Sequence, residues 1–444
     1  MKPWENGPLE VSENKRYLCN GTTPFFWLGD TAWLIFSRLK EEEAYTYLRN
    51  RKEKGYNVIQ ATLIHECRQT TAEGVPALSD EDAFLPDKGG LYWKRAERIT
   101  DMAAELGMYM ALLPAWGDHV SEGRLNDENM ETYLGYLAET FGKKKNVIWL
   151  VGGDVKGSAA FPQFCRIGAY LKEHCPGQLV GFHPFGRTSS SQWFRKEPWL
   201  DFYMFQSGHR RYDQKSLGAW DDNGKAAEFF GEDNWRYVER DLSLEDKKPT
   251  LDGEPSYEQI SQGLHDPSQP YWQSWDTRRY AYWSVFAGSC GHTFGDNAIM
   301  QFFVKERDKE GAFGVWQDWT EALHNCGAMH MKHLRELMEE IRFEEGASAQ
   351  ELTEERAGYE RVSVFAAPGC ICCYTYSGHP FWLELKEHPG TYEIYWMDPV
   401  SGVRSFAGSM TAGKERKEFY PPERLEGHSD WVLILKRQED RRCI

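Results

Sequence analysis

NVIWLVGGD, residues 146–154, is a short apolar run that stops at two glycines and an aspartate. Such a run reads as a strand buried on both faces, the kind found in parallel sheets. Seven further runs share its character. FFWLGDTAW (25–33), NVIQATLI (57–64) and MYMALLPAW (108–116) precede it. LVGFHPFG (179–186), FYMFQSGH (202–209), KPTLDGEP (248–255) and CGHTFG (290–295) follow it. Amphipathic stretches lie between them. Lys40 to Lys54 sets Ala44, Tyr47 and Leu48 on one face, and Trp93 to Leu106 does the same for Ile99, Met102 and Ala103. Asn129 to Phe141 groups Tyr133, Leu137 and Phe141. Gly55 and Gly107 stand where helix C-caps belong. Eight strands alternating with helices predict a closed (β/α)8 TIM barrel.

Beyond the barrel, Trp319 to Ile341 reads as one long helix. From about Glu345 the pattern changes to short alternating strands such as YERVSVFAA, CICCYTYS and GTYEIYWMD, with DPVSG (398–402) as a turn. The expected organisation is a catalytic barrel over residues 1–343 and a small all-β sandwich over residues 344–444.

Composition narrows the function. A net charge of −16 repels phosphate backbones, so nucleic acid is not an expected partner. No run reaches the roughly 18 to 20 apolar residues of a membrane helix. The first residues lack an apolar leader, which points to the cytoplasm. The ten cysteines are scattered and read as buried free thiols. Aromatic residues make up 14% of the chain, with 18 tryptophans, enough to fill a core and also to line a cleft for sugar rings.

Nearly every strand run ends in side chains able to bind or react, as barrel enzymes require. Two carboxylates stand out. Asp154 ends the fourth run and Glu254 the seventh, on opposite sides of an eight-stranded barrel. Glycoside hydrolysis needs such a pair, one to protonate the leaving oxygen and one to attack the anomeric carbon or activate water. Gly152 and Gly153 allow unusual backbone angles before Asp154, while Gly253 and Pro255 hold Glu254 on a stiff turn. Asp154 must keep its proton near neutral pH, with Trp149 a candidate for desolvating it. Glu254 must be ionised, with His183, Tyr257 and His292 as candidate donors. The expected substrate-binding shell is Asp30, His65, Glu66, Trp116, Asp118, His119, His183, Gln206, His209, Tyr257, His292 and Asp296. Asn297 stands beside the last of these. Trp316 and Trp319, in a loop past the barrel, read as packing, with an overhang of the cleft as the alternative for Trp316.

The segments FFWLGDTAWLIFSRL, NVIWLVGGD, GFHPFGRTSS, LDGEPSYE and AYWSVFAGSCGHTFGDN resemble the apiosidase-like glycoside hydrolases, family 140. The resemblance runs from about residue 10 to 340. The C-terminal β segment is similar to the small sandwich often appended in that family and labelled collagen-binding. The likeness implies that Asp154 is the acid/base and Glu254 the nucleophile. It implies a retaining, exo-acting enzyme on plant-type pectic oligosaccharides, with no cofactor. Two other readings stay open, a non-catalytic carbohydrate-binding barrel and a metal-dependent hydrolase. No HxH opens the first strand and no HExxH occurs, so no metal is expected.

Overall fold

The computed structural model describes residues 2–214, 232–413, 415–424 and 427–438. Each of the eight apolar runs forms a strand: β1 (Trp27–Thr31), β2 (Val58–Thr62), β3 (Tyr109–Leu113), β4 (Val147–Val155), β5 (Val180–Pro184), β6 (Tyr203–Gln206), β7 (Thr250–Asp252) and β8 (Gly291–Phe294). They pair in parallel in the order β5-β4-β3-β2-β1-β8-β7-β6. Between β5 and β6, Asp201 N–H donates to the Val180 carbonyl, and Val180 N–H donates back to the Asp201 carboxylate, both at 2.8 Å. The barrel is therefore nearly closed, as the sequence predicts. A short antiparallel strand, Thr188–Ser189, runs beside β6.

Period-two alternation sorts the strand residues into two layers. Trp27, Val58, Ala111, Leu113, Ile148, Leu150, Met204 and Leu251 fill the barrel. Leu28, Ile59, Met110, Leu112, Trp149, Val151, Phe182 and Phe205 face outward. That outer layer meets the helices α1 (Glu41–Glu53), α2 (Leu91–Glu105), α3 (Met130–Phe141), α4 (Phe161–His174), α5 (Trp235–Ser243) and α6 (Ser274–Phe286). A three-stranded sheet formed by Leu9–Val11, Leu18–Asn20 and Thr23–Phe25 packs under the N-terminal end of the barrel. Its Asn20 donates to the Tyr109 hydroxyl at 2.7 Å. The strands are three residues each, too short to show a sequence pattern.

The single helix expected over Trp319 to Ile341 is broken. Trp319–Ala322 forms one turn, and α7 spans Gly327–Glu340. Asn325 leaves the helical path to donate to Asp296 at 2.7 Å, and Glu258 accepts the Gly327 N–H at 3.0 Å. These tertiary bonds replace the intrahelical ones that a continuous helix would make.

The C-terminal part is all-β. Strands β9 (Val362–Ala367), β10 (Cys370–Thr375), β11 (Gly390–Met397), β12 (Arg404–Ala412) and β13 (Trp431–Arg437) pair antiparallel in the order β9-β10-β13-β11-β12. One face, with Val364, Ile371, Cys373 and Leu433, packs with Phe381, Leu383 and Phe419 of a two-stranded sheet. The other face carries Phe365, Cys372 and Tyr374 onto the barrel. There Tyr374 stacks on Tyr282 of α6 with ring centroids 4.4 Å apart. The alternation also puts Cys370 and Cys373 on opposite faces, and the described cysteines are free thiols.

Arg278 of α6 and Asp430 lock the two parts together by a buried two-bond pair, 2.7 Å for each bond. Burial opposes the Asp430 charge, but Arg278 and His428 override it and hold the carboxyl at about 2. This pair contributes stability above the ordinary carboxylate range and loses it as pH falls toward about 2. Asp430→Ala leaves the Arg278 guanidinium buried without its partner. The expected loss is about 3–5 kcal/mol in the unfolding free energy, read by urea titration.

Candidate active site

Gly152, Gly153 and Asp154 all have positive φ, at 90°, 119° and 47°. The register of β4 against β5 jumps there, pairing His183 with Gly152 but Pro184 with Val155. The two skipped residues form a bulge that turns the Asp154 side chain into the mouth. Only glycine fits before it. A Cβ on Gly152 would sit 2.5 Å from the His183 carbonyl oxygen, and one on Gly153 would sit 2.9 Å from the Trp116 ring.

Glu254 follows β7 and is buried. Its carbonyl accepts the N–H groups of Ser207 and Gly208 at 3.1 and 3.0 Å. His209 Nε2 lies 3.2 Å from Oε1, and His183 Nε2 lies 3.2 Å from Oε2. The nearest atoms of Asp154, His183 and Glu254 all fall within 4.8 Å of one another. The same three groups are the metal-capable cluster among the described residues.

The two carboxyl groups differ in proton affinity. Asp154 is open to water from the cleft, yet protein surrounds the cleft floor densely. Burial and then the Glu254 charge push it up to about 7, against the opposing pull of His183, Gln206 and Arg210. For Glu254, burial works upward, but the contacts and charges of His183 and His209 prevail and hold it at about 2. Near neutral pH one member can carry a proton while the other stays ionised.

The expected shell divides by strand parity. His183 and Gln206 point inward and meet the carboxylates, Gln206 beside Asp154. The Tyr257 hydroxyl donates to Thr31 at 3.1 Å, and burial followed by the Glu254 charge pushes it well above its usual range. His209 also contacts the Tyr257 ring edge-on, with centroids 4.9 Å apart. Trp116 lies against His65, 4.8 Å between ring centroids, and 6.2 Å from His183. His65 and Glu66 line a polar pocket of about 360 Å³ with Leu34 and Gln69. A larger depression of about 770 Å³, lined by α5 and residues of the C-terminal part, includes neither carboxylate.

Five expectations need correction. Asp30 points outward from β1 and is buried against α1, where Arg51 lies 2.6 Å and the Tyr47 hydroxyl 2.5 Å from its Oδ2. His292 also points outward, 3.4 Å from the Ser284 hydroxyl of α6. Burial depresses it to about 3, and it gives Glu254 no hydrogen bond. Asp296 caps the short helix Asn297–Gln301, accepting from Ala298 N at 2.9 Å and Ile299 N at 3.3 Å. His119 is buried behind the wall, with Nε2 3.0 Å from the His65 carbonyl, so it supports the His65 loop. Trp149 sits outside the barrel and donates to Gln178 at 2.6 Å, leaving Asp154 to be desolvated by other groups. Asp118 is exposed, 3.7 Å from His119. Asn297 bonds the Gln259 and Phe313 carbonyls, and Trp319 packs on Phe302.

Two contributors were missed. Trp33, two residues past β1, contacts His183 edge-on at 5.1 Å and Trp116 at 5.3 Å. Its signal was its place in the GDTAW ending. Arg210, next to His209, acts on the Asp154 charge. Its neighbour Arg211 carries the same residue type outward to Asp213, so the residue type alone gave no signal.

Comparison with known proteins adds the family. Residues 12–345 match the model "Apiosidase-like, catalytic domain", and residues 349–436 match "Putative collagen-binding domain of a collagenase". A solved structure described as "Glycoside hydrolase" is 37% identical, with a TM-score of 0.90 over 100% of this chain and 99% of that one. A glycoside hydrolase family 5 structure from Bacteroides vulgatus ATCC 8482 is 35% identical, with a TM-score of 0.90 over 100% and 96%. No curated protein matched the chain. With a barrel whose mouth joins two carboxyl groups and a family model covering three quarters of its length, this chain belongs to the apiosidase-like glycoside hydrolases.

Proposed function

We propose that this glycoside hydrolase is a retaining, exo-acting enzyme in which Asp154 is the acid/base and Glu254 the nucleophile. The observation that carries the reading is a pair of carboxyl groups whose nearest atoms lie within 4.8 Å, with proton affinities pushed in opposite directions. Direct attack requires carboxyl groups roughly 5–5.5 Å apart, while a water-mediated inversion requires roughly 6.5–9.5 Å. In the first step Glu254 attacks the anomeric carbon as Asp154 gives its proton to the leaving oxygen. In the second, Asp154 takes a proton from water, which displaces Glu254 from the sugar. His183 and His209 favour the ionised nucleophile at the start of the cycle. Plant-type pectic oligosaccharides are the substrate class that the family likeness supports.

Proton NMR of the first product tests the stereochemistry. Retention is expected, with the product anomer matching the substrate before mutarotation. Early appearance of the opposite anomer removes Glu254 as nucleophile. The Asp154, His183 and Glu254 cluster also supports a metal-dependent reading. Undiminished turnover after exhaustive chelation is the expected result, and metal-restored activity would favour that alternative.

A further inference from the structure

The outward face of β7 carries an acid for which the proposed reaction has no use. Asp252 is fully buried two residues before Glu254. Its Oδ2 accepts the Ser207 hydroxyl at 2.5 Å and Asn234 Nδ2 at 3.0 Å. The Asn234 amide also donates to the Tyr280 carbonyl at 2.7 Å, which ties this anchor to α6. Ser207 begins the turn whose N–H groups hold the Glu254 carbonyl. Two residues on, His209 has φ 74°, donates its N–H to Ser256 Oγ at 2.8 Å and sets its ring 3.2 Å from Glu254 Oε1. A continuous set of bonds thus runs from Asp252 through Ser207 and the 207–209 turn to the Glu254 carboxylate.

We infer that Asp252 is a positioning residue for the nucleophile: by anchoring the Ser207 hydroxyl, it fixes the turn that lays His209 on Glu254. The inference rests on the role proposed for Glu254. Asp252 differs from Asp30 and Asp430, which are held by arginines. Its side-chain partners are a hydroxyl and an amide, and burial pushes it up to about 7. It is therefore uncharged on the acid side of the rate profile, where Glu254 titrates. What it supplies there is an oxygen in a fixed place. Tyr237 of α5 and His292, paired with Asp252 across the β7–β8 register, are titratable neighbours of Asp252. Asp154, His183, His209 and Tyr257 face Glu254.

Ser207→Ala removes the anchored hydroxyl without changing charge, and Asp252→Ala removes the acceptor. Both are expected to lower kcat/KM by on the order of 10-fold to 100-fold, because a small misplacement of a reacting group is costly. With His209 loosened, burial of Glu254 is less fully offset. The acid limb of the kcat/KM profile should move up by on the order of one pH unit. Asp252→Asn keeps an oxygen for Ser207 and should restore most of the rate and the original acid limb. Wild-type rate and acid limb in Ser207→Ala would overturn the inference, whatever Asp252→Ala does to folding. Asp252→Asn as impaired as Asp252→Ala would overturn it too, since charge would then be the contribution. Turnover by Glu254→Gln would instead remove the nucleophile assignment beneath it.

Discussion

Glu254→Gln is expected to lower kcat by on the order of 10,000-fold or more, with the folded protein intact. Glutamine has nearly the same shape as glutamate but cannot form the glycosyl ester. The backbone that holds this position is independent of the side chain, since Ser207 and Gly208 bond the Glu254 carbonyl. Losing a buried charge does not unfold the turn, because the glutamine oxygen can still accept from His209. Circular dichroism and thermal melting check the fold, and single-turnover assays check the chemistry. The same substitution removes the charge that helps raise Asp154, so that acid should become stronger in the variant.

Asp154→Asn is expected to show a loss that depends on the leaving group. With a natural sugar leaving group, general acid catalysis is worth on the order of 100-fold to 10,000-fold, and that is lost. With an activated aryl leaving group, protonation matters little in the first step. The covalent intermediate then forms at a near-normal rate and accumulates, because no base activates water in the second step. Azide, which needs no base, should accelerate release and yield a glycosyl azide. In the wild type, Asp154 must be protonated to act, so kcat/KM should fall as pH rises through about 7. It should also fall as pH drops toward about 2, where Glu254 takes a proton. Those limits belong to the coupled pair rather than to either group alone.

The barrel was legible because all eight strands are buried on both faces and read as nearly continuous apolar runs. That Asp154 and Glu254 converge on one mouth was legible because each stands beside glycines at the C-terminal end of its run, Asp154 on the bulge of β4 and Glu254 just past β7. Asp30 and His292 were misread for one physical reason. An apolar run buried on both faces hides which parity points inward. In β1 the inward residues are Trp27 and Thr31, and Asp30 falls on the helix side. In β8, Thr293 faces in, 3.1 Å from Trp27 Nε1, and His292 faces out. Asp296 was misread because an aspartate after a strand serves equally as a helix cap, and the cap depends on Ala298 and Ile299 starting a turn there. Trp33 was overlooked because its one mark, a place at the end of the first run, is easily passed over in a chain with 18 tryptophans. The Asp252–Ser207 bond joins residues 45 apart in sequence, a distance over which neither residue type predicts the other.

The most direct test is to trap the intermediate in Asp154→Asn, using the aryl glycoside that the wild type turns over fastest, and to locate the bound sugar by peptide mass spectrometry. One glycosyl group esterified to Glu254 is the predicted result. A sugar on any other side chain, or product release by this variant at the wild-type rate with no adduct, would contradict it.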